Sequence, residues 1–197
     1  ERLAIDADGV VSITTSGNGD NLSLISTDAD ANAGPNLRLY RNSSSPADSD
    51  VLGQIDFEGR NDNSQDYVAA QIKTATGDVS DGTEDAQIEF DVMTAGTLRE
   101  YMRLASGSTP AVVFNEDSQD IDFRVESNGL THAVFVDGGN DRVGFITTPD
   151  LGNVHIRIDD TGASSNNDAD ELVLEKNGAC GINILSANDS QGNIFFG

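Results

Sequence analysis

Gln87-Ile88-Glu89-Phe90-Asp91-Val92 alternates polar and apolar residues at every step. A period of two puts Ile88, Phe90 and Val92 on one face of an extended chain and the acids on the other, the pattern of a half-buried β-strand. The run is followed by Gly96-Thr97-Leu98-Arg99-Glu100-Tyr101-Met102-Arg103-Leu104. Leu98, Met102 and Ala105 also fit a helical face, but the position of this run in a repeat favours strand. Upstream, residues 53–58 and 67–74 alternate in the same way, and polar turns at 60–66 and 77–85 separate the runs. Residues 53–104 therefore read as a four-stranded antiparallel meander. One such sheet has one apolar face and nothing in the same chain to cover it. Identical faces packed around a threefold axis would bury that face and shield the edge strands, so a homotrimer is expected.

The rest of the chain repeats shorter pieces of this pattern. Glu1-Arg2-Leu3-Ala4-Ile5-Asp6-Ala7-Asp8-Gly9 recurs in degenerate form as Glu100-Tyr101-Met102-Arg103-Leu104-Ala105-Ser106-Gly107, and short apolar strands follow at 10–13 and 111–114. Asn36-Leu37-Arg38-Leu39-Tyr40-Arg41-Asn42, leading to Gly53-Gln54-Ile55-Asp56-Phe57, corresponds to Glu171-Leu172-Val173-Leu174-Glu175-Lys176-Asn177, leading to Gly192-Asn193-Ile194-Phe195-Phe196. The chain thus reads as a segment that begins and ends inside its own repeat. Leu22-Ser23-Leu24, Leu37-Arg38-Leu39-Tyr40 and Ile121-Asp122-Phe123-Arg124-Val125 are further alternating runs. Asn128-Gly129 and Asn177-Gly178 predict type I′ hairpins that join 121–126 to 131–136 and 172–175 to 179–185. Asp137-Gly138-Gly139-Asn140-Asp141 predicts a reversal into Arg142-Val143-Gly144-Phe145.

Composition narrows the function. With 34 acidic against 11 basic residues the net charge is -23, which repels phosphate backbones and anionic membrane surfaces, so neither nucleic acid nor membrane insertion is expected. Self-repulsion on this scale opposes compactness unless salt screens it beyond about 8 Å. A single cysteine, Cys180, excludes an intramolecular disulfide framework, and its expected place is a small buried position beside a hairpin strand. No run approaches the roughly 20 apolar residues of a membrane span.

Catalytic signatures are missing. The chain holds no Gly-x-Ser-x-Gly elbow, His-Glu-x-x-His motif, phosphate-binding loop or dinucleotide fingerprint. His132 and His155 both fall in predicted strands, where a plain exposed or axis-facing histidine is expected. Paired carboxylates suit glycoside hydrolysis, but among 34 acids some pair is always close, and the chain has no Trp to build a sugar cleft. Asp6-Ala7-Asp8-Gly9, Asp28-Ala29-Asp30 and 137–141 offer oxygens at calcium-like spacing without a distal bidentate Glu, and read as turns that bond their own backbone. No catalytic, cofactor-binding or metal-ligating residue is assigned.

Asp170-Glu171-Leu172-Val173-Leu174-Glu175-Lys176-Asn177-Gly178, Gly181-Ile182-Asn183-Ile184-Leu185-Ser186 and Gly192-Asn193-Ile194-Phe195-Phe196-Gly197 resemble the shaft repeats of tailed-bacteriophage tail fibres and spikes. So does Gly82-Thr83-Glu84-Asp85-Ala86-Gln87-Ile88-Glu89-Phe90 with its continuation to Leu104, and together the likeness spans roughly 53–197. The Gly-x-Gly-Thr of that family's repeat ends is replaced here by Gly144-Phe145-Ile146-Thr147. The resemblance implies an all-β, elongated, trimeric fibre segment of antiparallel sheets and hairpin repeats, in the extracellular virion tail. It further implies other tail or fibre proteins as partners, and in many members a C-terminal intramolecular chaperone. The expected organisation is a first shaft unit at 1–52, the sheet at 53–104, a second shaft unit at 105–191 and the start of another sheet at 192–197. Host attachment by rigid display of a receptor-binding tip is the expected function. A host-glycan or surface adhesin acting through loops such as 43–50, 61–66 and 159–168 is the alternative, and a polysaccharide depolymerase a weaker one.

Overall fold

A computed structural model describes residues 3–186 and 193–195. Of the last predicted sheet start, only 193–195 fall among them, and they are in no strand. The described chain is all-β, and it divides into two units, 1–42 and 43–197.

Among its described residues the first unit has one pair of strands, β1 (Leu3–Ile5) and β2 (Val11–Ile13), antiparallel with Leu3 opposite Ile13. Asp6 closes their turn, its Oδ1 accepting the backbone N–H of Asp8 at 3.0 Å and of Val10 at 2.9 Å, while Gly9 supplies a φ of 83°. The alternating runs at 22–24 and 37–40 are not strands, contrary to their pattern. Alternation makes a segment competent to pair, but a strand exists only beside a neighbour, and these runs have none among the described residues.

The second unit opens with a sheet of β3 (Val51–Arg60), β4 (Asp66–Asp78), β5 (Asp85–Thr94), β6 (Thr97–Ala105) and β7 (Ala111–Phe114), antiparallel and in sequential order. The four predicted strands are all present, including 97–104 as strand. A fifth joins them, because 111–114, read as the opening of the next unit, pairs back along β6 from Met102–Phe114 to Ala105–Ala111. The tight turn sits between Thr94 and Thr97, where Ala95 and Gly96 both have positive φ, 49° and 81°, as a type I′ turn requires.

The second sheet runs in the order β12 (Leu172–Glu175), β11 (Val154–Arg157), β10 (Arg142–Phe145), β9 (Val134–Asp137), β8 (Phe123–Val125). The β8–β9 and β9–β10 pairs are the predicted hairpin and reversal. At the first, Ser127 and Leu130 exchange backbone hydrogen bonds around Asn128-Gly129, but neither central residue has the positive φ of a type I′ turn. Residues 126–133 instead make a wider connection, which absorbs the reversal without left-handed backbone. The hairpin predicted around Asn177-Gly178 does not form. β12 pairs in parallel with β11, and β11 in parallel with β10, while 179–185 is in no strand. Short polar crossovers, 146–153 and 158–171, return the chain to the same end of the sheet, a connection that local dipeptide signals do not encode.

Two crossover positions are tightly constrained. A Cβ on Gly152 would overlap the carbonyl oxygen of Asp170 and lie 2.8 Å from Val173 Cγ2. Ile146, which stands where the resembled family carries its second glycine, keeps a φ of 67° although a β-branched residue disfavours it. We expect Gly152→Ala to lower stability by about 1–3 kcal/mol through overpacking against backbone. Ile146→Gly should raise it by about 0.5–1 kcal/mol, relieved backbone strain outweighing the entropy of the added glycine. Urea denaturation of the two variants checks both signs.

Candidate functional site

The β3–β7 sheet has two unlike faces. Across one, register aligns Ile55, Ile72, Phe90, Met102 and Phe114, one residue from each strand, and beside them Ile88, Leu104 and Val112. Phe57, Ala70 and Val92 extend the same face. None of these side chains is buried, and Phe57, Val112 and Phe114 are 53%, 60% and 48% exposed. Phe114 also packs on Phe123 of β8, with ring centroids 4.7 Å apart. The apolar face is left open in a single chain, as the alternation of its strands led us to expect.

The opposite, charged face is the more buried one. Lys73 on β4 sits across from Glu89 on β5, its Nζ 2.5 Å from Glu89 Oε2 and 3.7 Å from Asp91 Oδ2. Glu89 in turn faces Arg103 on β6, which approaches Glu100 at 3.5 Å and pairs with Glu116. Glu89 and Asp91 are 7% and 6% exposed, and Ala75 beside them is 5% exposed. Long side chains laid flat across neighbouring strands cover one another, which is how a polar face becomes dry while an apolar face without long neighbours stays wet. Carboxylate oxygens of Glu89, Asp91 and Glu100 lie within 4.8 Å of one another, an arrangement of metal-like geometry in which the Lys73 ammonium pairs with the first two and Arg103 approaches the third. Burial holds Asp91 and Glu100 above the usual carboxylate range, against the attraction of Lys73 and Arg103, with Glu89 adding repulsion to both. The hydrogen bond that Lys73 donates to Glu89 raises the Lys73 pKa. Sequence reading missed this cluster, since the three acids are ordinary outward positions until strand register brings them together.

A second polar knot ties the crossovers of the other sheet. His155 on β11 is fully buried, with Nε2 3.0 Å from Glu175 Oε2 and Nδ1 3.1 Å from Asp150 Oδ1, the latter outside hydrogen-bond geometry. Arg157 reaches Asp150 at 3.3 Å and Glu175 at 3.8 Å. The backbone N–H and hydroxyl of Thr161 donate to Glu175 Oε1 at 2.7 and 2.8 Å. Those bonds, with help from His155 and Arg157, hold the Glu175 carboxyl below its usual range. His155 is thus neither exposed nor plain, contrary to expectation. His132 lies in the turn before β9 rather than in a strand, bonded to the Thr131 hydroxyl at 2.9 Å and edge-on to Phe135.

The calcium-like runs spend their carboxylates on local N–H groups: Asp28 on Asp30, Asp30 on Asn32, and Asp137 on Gly139 and Asn140. The Asn140 side-chain amide is the main cause of a lowered Asp137 carboxyl. Cys180, expected in a small buried position, is exposed, because its predicted hairpin partner is occupied by β11; its thiol lies 3.5 Å from the Leu174 carbonyl. At the tip of β3–β4 a groove of about 500 Å³ is lined by Asn61, Gln65, Asp66, Tyr67, Met93 and Gly96. Tyr67 lies over Gly59 there and is 40% exposed. No known protein family, curated protein or solved structure matches the chain.

Lys73→Met leaves Glu89 and Asp91 buried beside each other without a cation. It should cost about 2–3 kcal/mol, below the full penalty of an orphaned buried charge because the Lys73 side chain is 26% exposed. Thermal melts, with Lys73→Met/Glu89→Gln expected to recover part of the loss, check this. Asp91 and Glu100 bind protons more tightly folded than unfolded, so they contribute stability as pH falls from 7 through their raised values toward about 4. Glu175 and Asp137, held low, contribute stability above the unfolded value that is lost as pH falls through their folded values. Urea unfolding at stepped pH should show both limbs, with Glu100→Gln flattening the upper and Thr161→Val moving the lower to higher pH.

Proposed function

We propose that this chain is a non-enzymatic structural virion protein: a segment of a homotrimeric phage tail fibre or spike, carried on the extracellular tail. It joins other tail or fibre proteins and holds a receptor-binding tip away from the particle. The observation that carries the reading is the uncovered apolar face of the β3–β7 sheet, from Ile55 to Phe114. A contiguous apolar surface rimmed by charge is an interaction surface, and three identical faces around one axis cover it without a second gene product. The shaft-like motifs at 82–104 and 170–186 point to the same assembly. The net charge of -23 keeps finished fibres apart laterally, while salt screens repulsion at the short range of the apolar contact. The mechanism is mechanical, in that paired sheets transmit position and force and no bond is made or broken.

Light scattering of the chain in high salt should return three times the single-chain mass. Phe57→Glu combined with Phe114→Glu should return the mass of one chain with its β-sheet circular dichroism retained. A folded wild-type monomer overturns the proposal.

A specific observation also favours the adhesin reading. The Tyr67 groove joins an aromatic ring to the amides of Asn61 and Gln65 and a carboxylate, the side chains that stack on and hydrogen-bond to sugar rings, and an acidic surface suits neutral rather than anionic glycans. Binding of the assembled chain to neutral glycans on an array, lost at least about tenfold in Tyr67→Ala, is the expected outcome, a tenfold loss being about 1.4 kcal/mol. Equal binding by Tyr67→Ala removes this groove from the adhesin reading.

A further inference from the structure

We infer that residues 37–40 of one copy of this chain form a β-strand with residues 22–25 of the next, so that the first unit folds only between chains. The inference rests on the self-associating reading above and goes further by naming the segments that cross. The unit at 1–42 is held by one pair of three-residue strands, and no described residue in it is buried. A lone two-stranded pair is marginal in water, and a piece of this size without a core does not offset the entropy of ordering it. Leu22, Leu24, Ile25, Leu37, Leu39 and Tyr40 nevertheless stand 47% to 79% exposed, and the backbone of both segments makes no backbone hydrogen bond among the described residues.

The repeat shows what the pattern does when a neighbour is present. Residues 36–42 are the counterpart of 171–177, and there Leu172–Glu175 is β12, paired along β11 from Val154–Leu172 to Arg157–Glu175. Residues 37–40 keep the two leucines of that strand, Leu37 and Leu39 in place of Leu172 and Leu174, and lack the neighbour. Charge selects which neighbour. The segment 36–42 holds Arg38 and Arg41 and no carboxylate, in a chain of net charge -23, and Arg38 lies over its own Tyr40 ring at 4.4 Å with no ion pair among the described residues. Paired with its own equivalent it would set Arg38 against Arg38, which is repulsive. Residues 22–25 are uncharged and flanked by Asp20 and Asp28, so they offer an alternating apolar edge with acids at its ends. Each copy then gives one segment and receives the other, a head-to-tail contact that closes into a ring around a threefold axis.

Hydrogen exchange by mass spectrometry on the full assembled chain should show the amides of 22–25 and 37–40 protected by about 100-fold or more relative to unstructured peptide, as stable pairing requires. In a Cys180→Ser background, chains carrying Leu24→Cys mixed with chains carrying Leu39→Cys before assembly should form disulfide-linked pairs on oxidation. Neither chain should do so alone. A threefold mass with free exchange in both segments and no mixed disulfide overturns this inference and leaves the fibre reading standing. A single-chain mass overturns both.

Discussion

The structure depends on a sheet with one finished face. In the β3–β7 sheet the cross-strand charge network of Lys73, Glu89, Asp91, Glu100 and Arg103 is made within one chain and buries Glu89 and Asp91, while the apolar row from Ile55 to Phe114 lies open. Ordinary domains do the reverse, since apolar burial is the dominant favourable term in folding and polar groups prefer water. Here the network fixes strand register from inside and leaves the hydrophobic contribution to be collected from outside. The register of the five strands is specified within one chain, because a one-residue slip would carry Lys73 away from Glu89 and onto the apolar side.

The β8–β12 sheet is organised by a different polar device. Parallel strands need crossovers, and without a helix to pack against the sheet those crossovers must be tied down by hydrogen bonds. His155 and Glu175 do this from below, on adjacent strands with facing side chains, while Asp150, Arg157 and Thr161 attach the loops on either side. Phe135 is the single large apolar side chain that this sheet buries. Its order therefore rests on directional contacts, which resist sliding better than a small greasy core would.

Both devices bear on function in the same way. Shape is stored in polar networks that a single chain completes, and cohesion is stored in surfaces that it leaves incomplete. In the self-association proposed above, the apolar contact is short-ranged and survives salt, whereas the repulsion between acidic surfaces is long-ranged and is weakened by it.

Much of the architecture was legible in the residues. Period-two alternation named four strands of the first sheet, and Asp137-Gly138-Gly139-Asn140-Asp141 marked a true reversal between β9 and β10. These are local signals, carried by adjacent side chains and by turn residues that bond their own backbone. The Asn177-Gly178 dipeptide carried an equally strong local signal and no hairpin formed, because β12 found β11 in parallel at a sequence distance that no dipeptide records. Likewise 22–24 and 37–40 alternate as well as any true strand but stand unpaired. The sequence by itself determined which segments are able to be strands, which side chains share a face, and that the surface is strongly acidic. Only the tertiary structure decided which strands pair, that Glu89 and Asp91 converge on Lys73 while Glu100 meets Arg103, that His155 is locked between two carboxylates, and that the charged face is the more buried of the two. Pairing is a relation between distant stretches, and its energy lies in contacts that exist only once the chain has closed on itself.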